Sequence, residues 1–373
     1  MNFEFTDEQQ ELRATIRGVL DKECPPALPR RVTEEVEGAD ELWQTLVGLD
    51  WPALALPESV GGLGYSWVEQ GILLEEMGRR AAPGPYLATV TQFAPVVLEC
   101  GTDEQIERFV GPVATGELTG TLALDEGAGT WSTADVTATA TIEGDEVVVS
   151  GTKRFVLDGA TAGEIAVAVG LDDEIRVVVI PRSEVSETTE LEPIDHTTRH
   201  ADLTFDRIRV PLDRLLGDGD STAGVARAVE QATTAVALTT LGACSTVFDM
   251  TLAYVKEREQ FGVPIGSFQA VKHKLADMYR DRERAAALCQ FAALCIAEDD
   301  DRRTLATSMA KASAGDCQKK MVKEGLQLHG GIGYTWENDL HLFLRRARVG
   351  DLQFGGAAEH ERRASRLVLT ASE

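Results

Sequence analysis

The spacing of apolar residues changes twice along this chain and divides it into a helical, a stranded and a second helical region. Near the start, Leu12, Ile16 and Leu20 recur at helical intervals behind a capping box at Thr6-Asp7-Glu8-Gln9. The period becomes two after about residue 117, and the helical period returns after about residue 218. The sequence therefore predicts three domains: an N-terminal α-helical domain over 1–116, a central β domain over 117–217 and a C-terminal helical bundle over 218–373.

The middle region predicts an antiparallel β-barrel or sandwich. Residues 136–142 alternate, Gly144-Asp145 offers a hairpin turn, and residues 146–151 continue beyond it. Further strands are expected over 164–169, 175–180 and 201–205. Turns are frequent and no helix intervenes, which favours antiparallel over parallel pairing.

Three long segments in the last region predict an antiparallel helical bundle. They run over about 223–254, 268–298 and 304–329 and are rich in Ala, Leu and charged residues. Together with the other two regions, they place the chain in the α+β fold class.

Charge and cysteine usage restrict the possible partners and the compartment. Acidic residues outnumber basic ones by 61 to 36, for a formal charge of −25, which opposes binding to nucleic acid or to an anionic membrane. The six cysteines are scattered without metal-ligand spacing. No secretory leader pattern and no apolar run of about 18 residues is evident. We therefore expect a cytoplasmic protein with no metal site and no nucleic-acid or membrane partner.

Two long motifs occur in order in the last region. The first begins Arg258-Glu259-Gln260-Phe261-Gly262 and continues to Met278, and the second runs from Gln327 through Gly330-Gly331 to Tyr334. Both strongly resemble the acyl-CoA dehydrogenase family, and the resemblance extends over essentially the whole chain. It implies the fold of that family with a C-terminal four-helix bundle, FAD as cofactor and an acyl-CoA thioester as substrate.

The resemblance also sorts residues by the part of the flavin they contact. In the family one FAD lies across a subunit interface: one subunit holds the isoalloxazine ring, and its neighbour contacts the ADP portion. Arg258 matches an arginine suited to paired phosphate oxygens, and glycines near 330 allow backbone N–H groups to approach the pyrophosphate. The implied ADP contacts are Arg258, Gln260, Phe261, Gln269, Gln327, Gly330 and Gly331. The alternative is structural: Arg258 pairs with a helix-end carboxylate, and Gly330-Gly331 merely ends a helix.

The residues that match the ring-holding side have diverged. Asp125 stands where the family commonly has a threonine that bonds to the flavin pyrimidine, and an ionised carboxylate cannot donate that bond. Phe155 could still stack on a ring, but Leu157 replaces a second threonine, which would bond to N5. The resemblance therefore implies that both polar contacts to the flavin ring are missing. His329, beside the glycine pair, is assigned to the flavin-facing turn rather than to acid–base chemistry.

The catalytic base of the family is also missing. The α proton of a thioester requires a base, usually a glutamate near the C-terminus, where this chain has Gly355, or Phe354 in an alternative register. The other position used in the family falls on Ala232. Glu230 is a weak candidate, because two residues along a helix rotate it by roughly 200° from the required face, and a solvated helix residue is the simpler interpretation. Glu359 and Glu361 match later positions of the family stretch.

His196 and His200, four residues apart, could suggest a metal site. The segment around them resembles a turn before the last strands of the β domain, and no third ligand is evident. A structural role is therefore expected for both.

The losses lie on one side of the flavin, which suggests a division of labour between subunits. Some acyl-CoA dehydrogenases, notably those acting on steroid side-chain CoA esters in actinobacteria, are α2β2 heterotetramers with one degenerate subunit type. This chain resembles that type, with a partner subunit that carries the catalytic glutamate. Two alternatives stay open: a self-sufficient homo-oligomer with a displaced base at Glu230 or with flavin monooxygenase chemistry, and a non-catalytic acyl-CoA binding or scaffold subunit.

Overall fold

The structure is a computed structural model that describes residues 4–35, 40–127, 129 and 131–370. Within these ranges the α-helices are α1 (Asp7–Glu23), α2 (Ala27–Glu35), α3 (Asp40–Gly48), α4 (Trp67–Arg79), α5 (Tyr86–Ala88), α6 (Ala94–Cys100), α7 (Asp103–Ala114), α8 (Thr222–Glu257), α9 (Gln269–Ala297), α10 (Arg303–His329), α11 (Leu340–Leu352) and α12 (Ala357–Thr370). The strands are β1 (Gly120–Ala123), β2 (Thr139–Glu143), β3 (Glu146–Leu157), β4 (Glu164–Leu171), β5 (Glu174–Pro181), β6 (Glu187–Glu190), β7 (His200–Pro211), β8 (Glu259–Gln260) and β9 (Val263–Pro264).

The order helices, strands, helices confirms the predicted fold class. The capping box at the start of α1 is present: the Gln9 N–H donates to Thr6 Oγ1 at 3.2 Å, and the Thr6 N–H donates to Gln9 Oε1 at 3.0 Å. The predicted hairpin is also present, with Gly144 at a φ of +68° in the turn between β2 and β3. The long helices α8, α9 and α10 follow the three predicted segments closely.

The sheet is mixed rather than purely antiparallel. Its strand order is β1-β4-β2-β3-β7-β6, with β5 paired to β4. Strand β4 pairs in parallel with β1 and, through the single pair Thr139 and Gly170, with β2, whereas its pairing with β5 is antiparallel. The β2–β3 hairpin lies between β1 and β4 in the chain, so the connection is long enough for parallel pairing. The frequency of turns predicts the antiparallel pairing of strands joined by a hairpin, but not the parallel pairing of strands that are distant in the chain.

Alternate side chains of the strands form the core of the sheet. On β4, Ile165, Val167 and Val169 are fully buried, and on β7, Leu203 and Phe205 belong to the same cluster. Burial alternates along the first half of β7, as the period-two pattern predicts, whereas residues 165–169 of β4 are all buried.

Packing groups the chain into two compact units, each built from separated stretches. One comprises Met1–Glu37, Ser66–Pro83 and Thr233–Glu373, and the other Gly38–Tyr65 and Gly84–Ala232. The domain boundaries predicted near residues 117 and 218 follow changes in secondary structure and remain predictions.

Helix α8 is long and apolar enough to cross a membrane by length and composition alone. However, 78% of its most apolar window is buried inside the protein. Such burial is expected of a core helix, so the criterion is weak evidence for a membrane span.

Candidate functional site

A two-residue turn carries the aromatic residue of the first motif. Strands β8 and β9 pair as a short hairpin, with Phe261 at a φ of +55° and Gly262 at +78° between them. Two successive positive φ angles give a turn whose twist matches the paired strands. The Phe261 side chain is 94% exposed and meets the Phe268 ring edge-on, with 6.1 Å between centroids. Among the large apolar residues that the structure describes, Phe261 is the most exposed.

The polar residues of the first motif also face solvent. The Arg258 side chain is exposed and makes no hydrogen bond or ion pair with any residue that the structure describes. This rules out, within those residues, the helix-end carboxylate considered as its structural partner. Gln260 donates to the Glu259 carbonyl oxygen at 2.7 Å, and exposed Gln269 is the first residue of α9. Phe268, the N-cap residue, supplies no side-chain acceptor. Donors of the first turn of α9 therefore remain available.

The glycine pair of the second motif borders open space. Gly330 ends α10 with a φ of +61°, and its N–H donates to the Leu326 carbonyl oxygen, so it is also a helix cap. A Cβ atom on Gly330 or on Gly331 would meet nothing within 4 Å. Gln327 is exposed on the last turn of the same helix. Space beside the backbone is what a closely approaching ligand requires.

An aromatic stack brings the two motifs to one end of the bundle. The ring of Tyr254, one turn before Arg258, stacks on His329, with centroids 4.7 Å apart and an interplanar angle of 18°. His329 Nδ1 lies 2.9 Å from the Gly325 carbonyl oxygen, and burial lowers the pKa of the imidazole. The His329 side chain is therefore a buried packing element, and its assignment to the flavin-facing turn remains a prediction.

In the other compact unit, the loop that matches the ring-holding side is closed on itself. Asp125 is 4% exposed, and its carboxylate accepts the Gly127 N–H at 3.0 Å and the Gly129 N–H at 2.8 Å. Ala128 and Thr130 lie outside the described residues. Each oxygen of Asp125 therefore already accepts a hydrogen bond from its own loop, and an ionised carboxylate has no proton to donate.

A buried ion pair supports this loop. Lys153 Nζ lies 2.5 Å from Glu126 Oε1 and 3.2 Å from the Leu124 carbonyl oxygen. Burial lowers the pKa of Lys153. Burial alone would raise the pKa of Glu126, but hydrogen bonds from Lys153, Thr137 and Ala138 outweigh it and hold that pKa below its usual range. The loop is thus fixed by charge-assisted bonds that the sequence motif did not reveal.

Phe155 and Leu157 differ sharply in exposure. Phe155 lies at a bulge of β3 with a φ of +54° and is 45% exposed, and its N–H donates to Asp202 Oδ1 at 3.1 Å. Leu157 is buried, and its carbonyl oxygen accepts the Thr121 hydroxyl at 2.6 Å. A ring face is therefore available at Phe155, whereas Leu157 offers only a buried apolar side chain.

A side chain at the position of the missing base would strain the backbone and displace its neighbours. Gly355 has a φ of +93°, and a Cβ there would lie 2.8 Å from Glu359 Oε2 and 3.2 Å from His360 Nε2. Phe354, the alternative register, is buried with a φ of +56°. Both conformations are rare for residues with a Cβ.

The other position at which the family places its base, Ala232, is also buried. The expectation that nearby Glu230 is solvated was wrong. Ala232 is fully buried, and Glu230 is 6% exposed rather than solvated. The reason is that α8 is covered on nearly all sides along this stretch, which helical periodicity alone did not indicate. The assignment of Glu230 as a weak candidate base is not tested by this burial.

The histidine pair has the environment of a structural turn. Asp195 accepts hydrogen bonds from the N–H and the hydroxyl of Thr197, and His200 begins β7 opposite Leu157. Burial lowers the pKa of His200 to about 4. The described part of the chain contains no group of three His, Cys, Asp or Glu side chains that could hold a metal ion.

Comparison with known proteins decides the family. The model of the acyl-CoA dehydrogenase N-terminal domain matches residues 6–117, and that of the C-terminal domain matches residues 224–366. The chain belongs to the acyl-CoA dehydrogenase family. Members of this family are FAD-dependent flavoproteins, so FAD is its cofactor class.

Three relatives of this acyl-CoA dehydrogenase are informative. Acyl-CoA dehydrogenase IpdE2 of Mycobacterium tuberculosis is 31% identical over 345 residues, which cover 91% of this chain and 91% of the relative. The ChsE4-ChsE5 complex from Mycobacterium tuberculosis superposes with a TM-score of 0.90 at 27% identity over 99% of both chains. A variant of the Tcur3481-Tcur3483 steroid ACAD superposes with a TM-score of 0.87 at 30% identity over 98% of this chain and 99% of the other.

The acyl-CoA dehydrogenase chain can be tested against FAD in two halves. At the bundle end the chain offers a guanidinium with no partner among the described residues, an exposed aromatic ring and glycines bordered by empty space, which suit the phosphates and adenosine of the ADP portion. At the ring loop the carboxylate of Asp125 is already satisfied and carries no proton to donate. The described residues at the bundle end therefore suit the ADP half of FAD, whereas on the ring-holding side only the Phe155 side chain offers an exposed contact.

Proposed function

We propose that this chain is the base-lacking subunit of a hetero-oligomeric, FAD-dependent acyl-CoA dehydrogenase. In this proposal Arg258, Gln260, Phe261, Gln269, Gln327, Gly330 and Gly331 contact the ADP portion of an FAD whose ring is held by a partner subunit of the same family. The partner carries the glutamate that removes the α proton of the acyl-CoA thioester, and FAD supplies the acceptor for the β hydride.

The observation that carries the proposal is the contrast between Phe261 and Gly355. Phe261 stands 94% exposed on a hairpin, beside an arginine that has no partner among the described residues. Gly355 is buried in a left-handed conformation, where a Cβ would strain the backbone and displace the Glu359 carboxylate. The Arg258–Phe261 segment thus presents side chains that a neighbouring molecule can contact, while the position that would hold the base is buried and occupied by glycine.

The solved relatives support a second subunit. ChsE4-ChsE5 is a complex, and Tcur3481-Tcur3483 is a steroid ACAD. By analogy we extend the proposal to an α2β2 heterotetramer in the cytoplasm, acting on a steroid side-chain CoA ester. The analogy is at the level of the fold and of its assemblies, and the substrate follows from it alone.

Within the complex, each retained residue has a physical task. Arg258 places its fork of N–H donors against the pyrophosphate, which offsets part of the cost of holding a dianion near an acidic chain. Contact with the FAD of the complex covers the Phe261 ring, which is 94% exposed in the lone chain. The backbone N–H groups near Gly330 and at the start of α9 donate to phosphate oxygens.

The proposal is tested by flavin content and turnover of the full-length chain, alone and co-expressed with its partner. The partner is recognised as a chain of the same family with a threonine in the ring loop and a glutamate where this chain has Gly355. We expect the lone chain to purify with little FAD and to show no oxidation of butyryl-, octanoyl- or steroid side-chain CoA esters with a dye acceptor. The co-expressed pair should contain one FAD per heterodimer and oxidise at least one of the esters.

Two results would contradict the proposal. Stoichiometric FAD with turnover in the lone chain would favour a self-sufficient enzyme with a displaced base such as Glu230. Saturable acyl-CoA binding without flavin, even beside the partner, would favour a scaffold subunit.

A further inference from the structure

A cavity of about 310 Å³ lies between α1, α4, α8 and α9, within a single compact unit. None of the residues that line it belongs to the set predicted to contact flavin. Its apolar wall consists of Val68, Ile72, Leu238, Leu241, Ala286 and Ala293.

Close helix contact positions the charged groups at this cavity. The backbones of α4 and α8 meet where Gly78 lies against the Thr239 carbonyl and Gly242 against the Glu75 carbonyl; a Cβ at either glycine would overlap the facing backbone. This approach places Glu75 and Arg79 of α4 directly beside α8. Gly71 leaves ordinary contacts to Leu238 and Ala293, at 3.4 and 3.5 Å from a Cβ built on it.

Two guanidinium groups share one carboxylate at the cavity. Arg79 Nη2 lies 2.6 Å from Asp249 Oδ2, and Arg282 Nη1 lies 3.7 Å from Asp249 Oδ1. Arg282 also donates to Glu283 Oε1, with Nη2 at 2.8 Å. The two arginine side chains are 22% and 19% exposed, whereas Asp249 is 47% exposed. The cations are thus fixed and largely buried, and the anion between them is the group most open to solvent.

The inner part of the cavity has more buried cations than buried anions. Arg13 pairs with Glu75 at 2.9 Å, and these side chains are 26% and 14% exposed. Burial raises the pKa of Glu75, with Arg13 opposing the shift, so the deepest carboxylate of the lining holds its negative charge less firmly than a free one. Glu76, which is 2% exposed, is paired with Arg17 at 2.6 Å and lies 3.8 Å from Arg79 Nε. Arg13, Arg79 and Arg282 therefore face two well-buried carboxylates, Glu75 and Glu76.

A buried hydroxyl in the same wall has no hydrogen-bond partner among the residues that the structure describes. Ser245 is 3% exposed and lines the cavity, and its side chain makes no hydrogen bond with any described residue. Buried hydroxyl groups are normally hydrogen-bonded, so a free one directed to a cavity indicates a place for a polar ligand atom or for water.

We propose that this cavity binds a monocarboxylate with an unbranched apolar chain. The carboxylate takes the place of Asp249 between Arg79 and Arg282 and accepts a hydrogen bond from Ser245, while the chain lies on the apolar wall. Arg79 already donates to a planar carboxylate, with Arg282 at ion-pair distance from it, which matches this head group. A dianionic phosphate would bring a second negative charge beside Glu283 and Asp249, which also line the cavity. The inference does not depend on the proposed flavin arrangement.

Calorimetric titration of the full-length chain with butyrate, hexanoate and octanoate tests the proposal. We expect one saturable site per chain, with affinity rising about fourfold for each added methylene until the apolar wall is covered. Octan-1-ol, which has the same chain and no charge, should bind at least tenfold more weakly than octanoate. Equal binding of the alcohol and the acid, or no saturable site, would overturn the proposal.

Matched variants on one helix separate the cavity from the general surface. Arg282→Gln removes half of the clamp and should weaken octanoate binding at least tenfold, whereas Arg280→Gln, two residues earlier and not in the lining, should not. Ala286→Phe fills the cavity and should abolish binding, whereas the neighbouring exposed Ala287→Phe should preserve it. Thermal midpoints confirm that each variant is folded. Binding that survives both Arg282→Gln and Ala286→Phe would place the ligand elsewhere and refute the assignment.

Discussion

Lys311 Nζ lies 2.6 Å from the carbonyl oxygen of Gly355 and 3.0 Å from that of Asp351, and the lysine side chain is 1% exposed. His360 Nε2 lies 2.8 Å from the neighbouring Phe354 carbonyl oxygen. Buried polar side chains of α10 and α12 thus fix the turn that replaces the catalytic glutamate of the family. The loss of the base is therefore more than a single substitution, because the surrounding residues hold a conformation suited to glycine.

Gly355→Glu should accordingly fail to restore activity and should destabilise the chain. The left-handed backbone and the close approach to Glu359 and His360 should lower the free energy of unfolding by about 1–3 kcal/mol. Urea denaturation measures this loss, with Gly356→Ala as control, since a Cβ at Gly356 would come no closer than 3.8 Å to the Asp351 carbonyl oxygen. Acyl-CoA oxidation by the lone Gly355→Glu variant would show that the turn is adaptable and contradict this interpretation.

Lys311 should make stability rise at alkaline pH. Burial lowers its pKa from 10.5 to about 8. Between these values the unfolded chain binds more protons than the folded chain, so the contribution of Lys311 to the free energy of unfolding increases with pH, by up to about 1.4 kcal/mol per unit. Below pH 8 both states are protonated and the contribution is constant.

Urea unfolding at pH 7, 8, 9 and 10, for the wild type and for Lys311→Met, isolates this contribution from other titrations. The unfolding free energy of the wild type minus that of Lys311→Met should increase between pH 8 and pH 10. Parallel pH profiles would mean that Lys311 keeps its ordinary pKa in the folded chain.

Local sequence patterns predicted the elements but not the pairings between distant ones. The capping box at Thr6 and the turn at Gly144-Asp145 depend on residues within a few positions, and both are present. The parallel pairing of β1 with β4 joins segments more than 40 residues apart, and no local signal specifies it. Burial of Glu230 likewise depends on what covers α8, which helical periodicity does not contain.

In the candidate site, too, local motifs were predictable from the sequence and contacts between distant residues were not. The motifs located the exposed hairpin and the glycine pair, because these positions depend on turn geometry encoded in a few residues. The Lys311–Gly355 contact links residues 44 positions apart and could only be seen in the folded chain. The unpartnered Arg258 and the self-satisfied Asp125 likewise depend on which groups lie nearby in three dimensions.

Arg258 and Phe261 should matter for flavin retention and not for folding. Both side chains are exposed, so Arg258→Gln and Phe261→Ala should change the free energy of unfolding by no more than about 0.5 kcal/mol. In the complex with the partner subunit, loss of charge-assisted bonds at Arg258 should weaken FAD binding by about tenfold to a hundredfold. Flavin fluorescence during dialysis measures this, with Lys256→Gln as control for an exposed cation at the end of the same helix. If Lys256→Gln weakened FAD binding equally, Arg258 would act only through the net charge of the chain and not through specific bonds to FAD.

Glycines on two helices should respond oppositely to the same substitution. Gly78→Ala places a Cβ against the Thr239 backbone, where α4 and α8 meet, and rigid backbone on both sides cannot yield cheaply. We expect the free energy of unfolding to fall by about 1–3 kcal/mol or more. Gly18→Ala lies on an exposed face of α1, with nothing within 4 Å of the added Cβ, and should stabilise the chain by about 0.5–1 kcal/mol, since alanine loses less backbone entropy in a helix. Urea midpoints of the two variants give the comparison directly. A neutral Gly78→Ala would mean that α4 and α8 do not meet as closely in solution as the crossing at Gly78 and Gly242 requires.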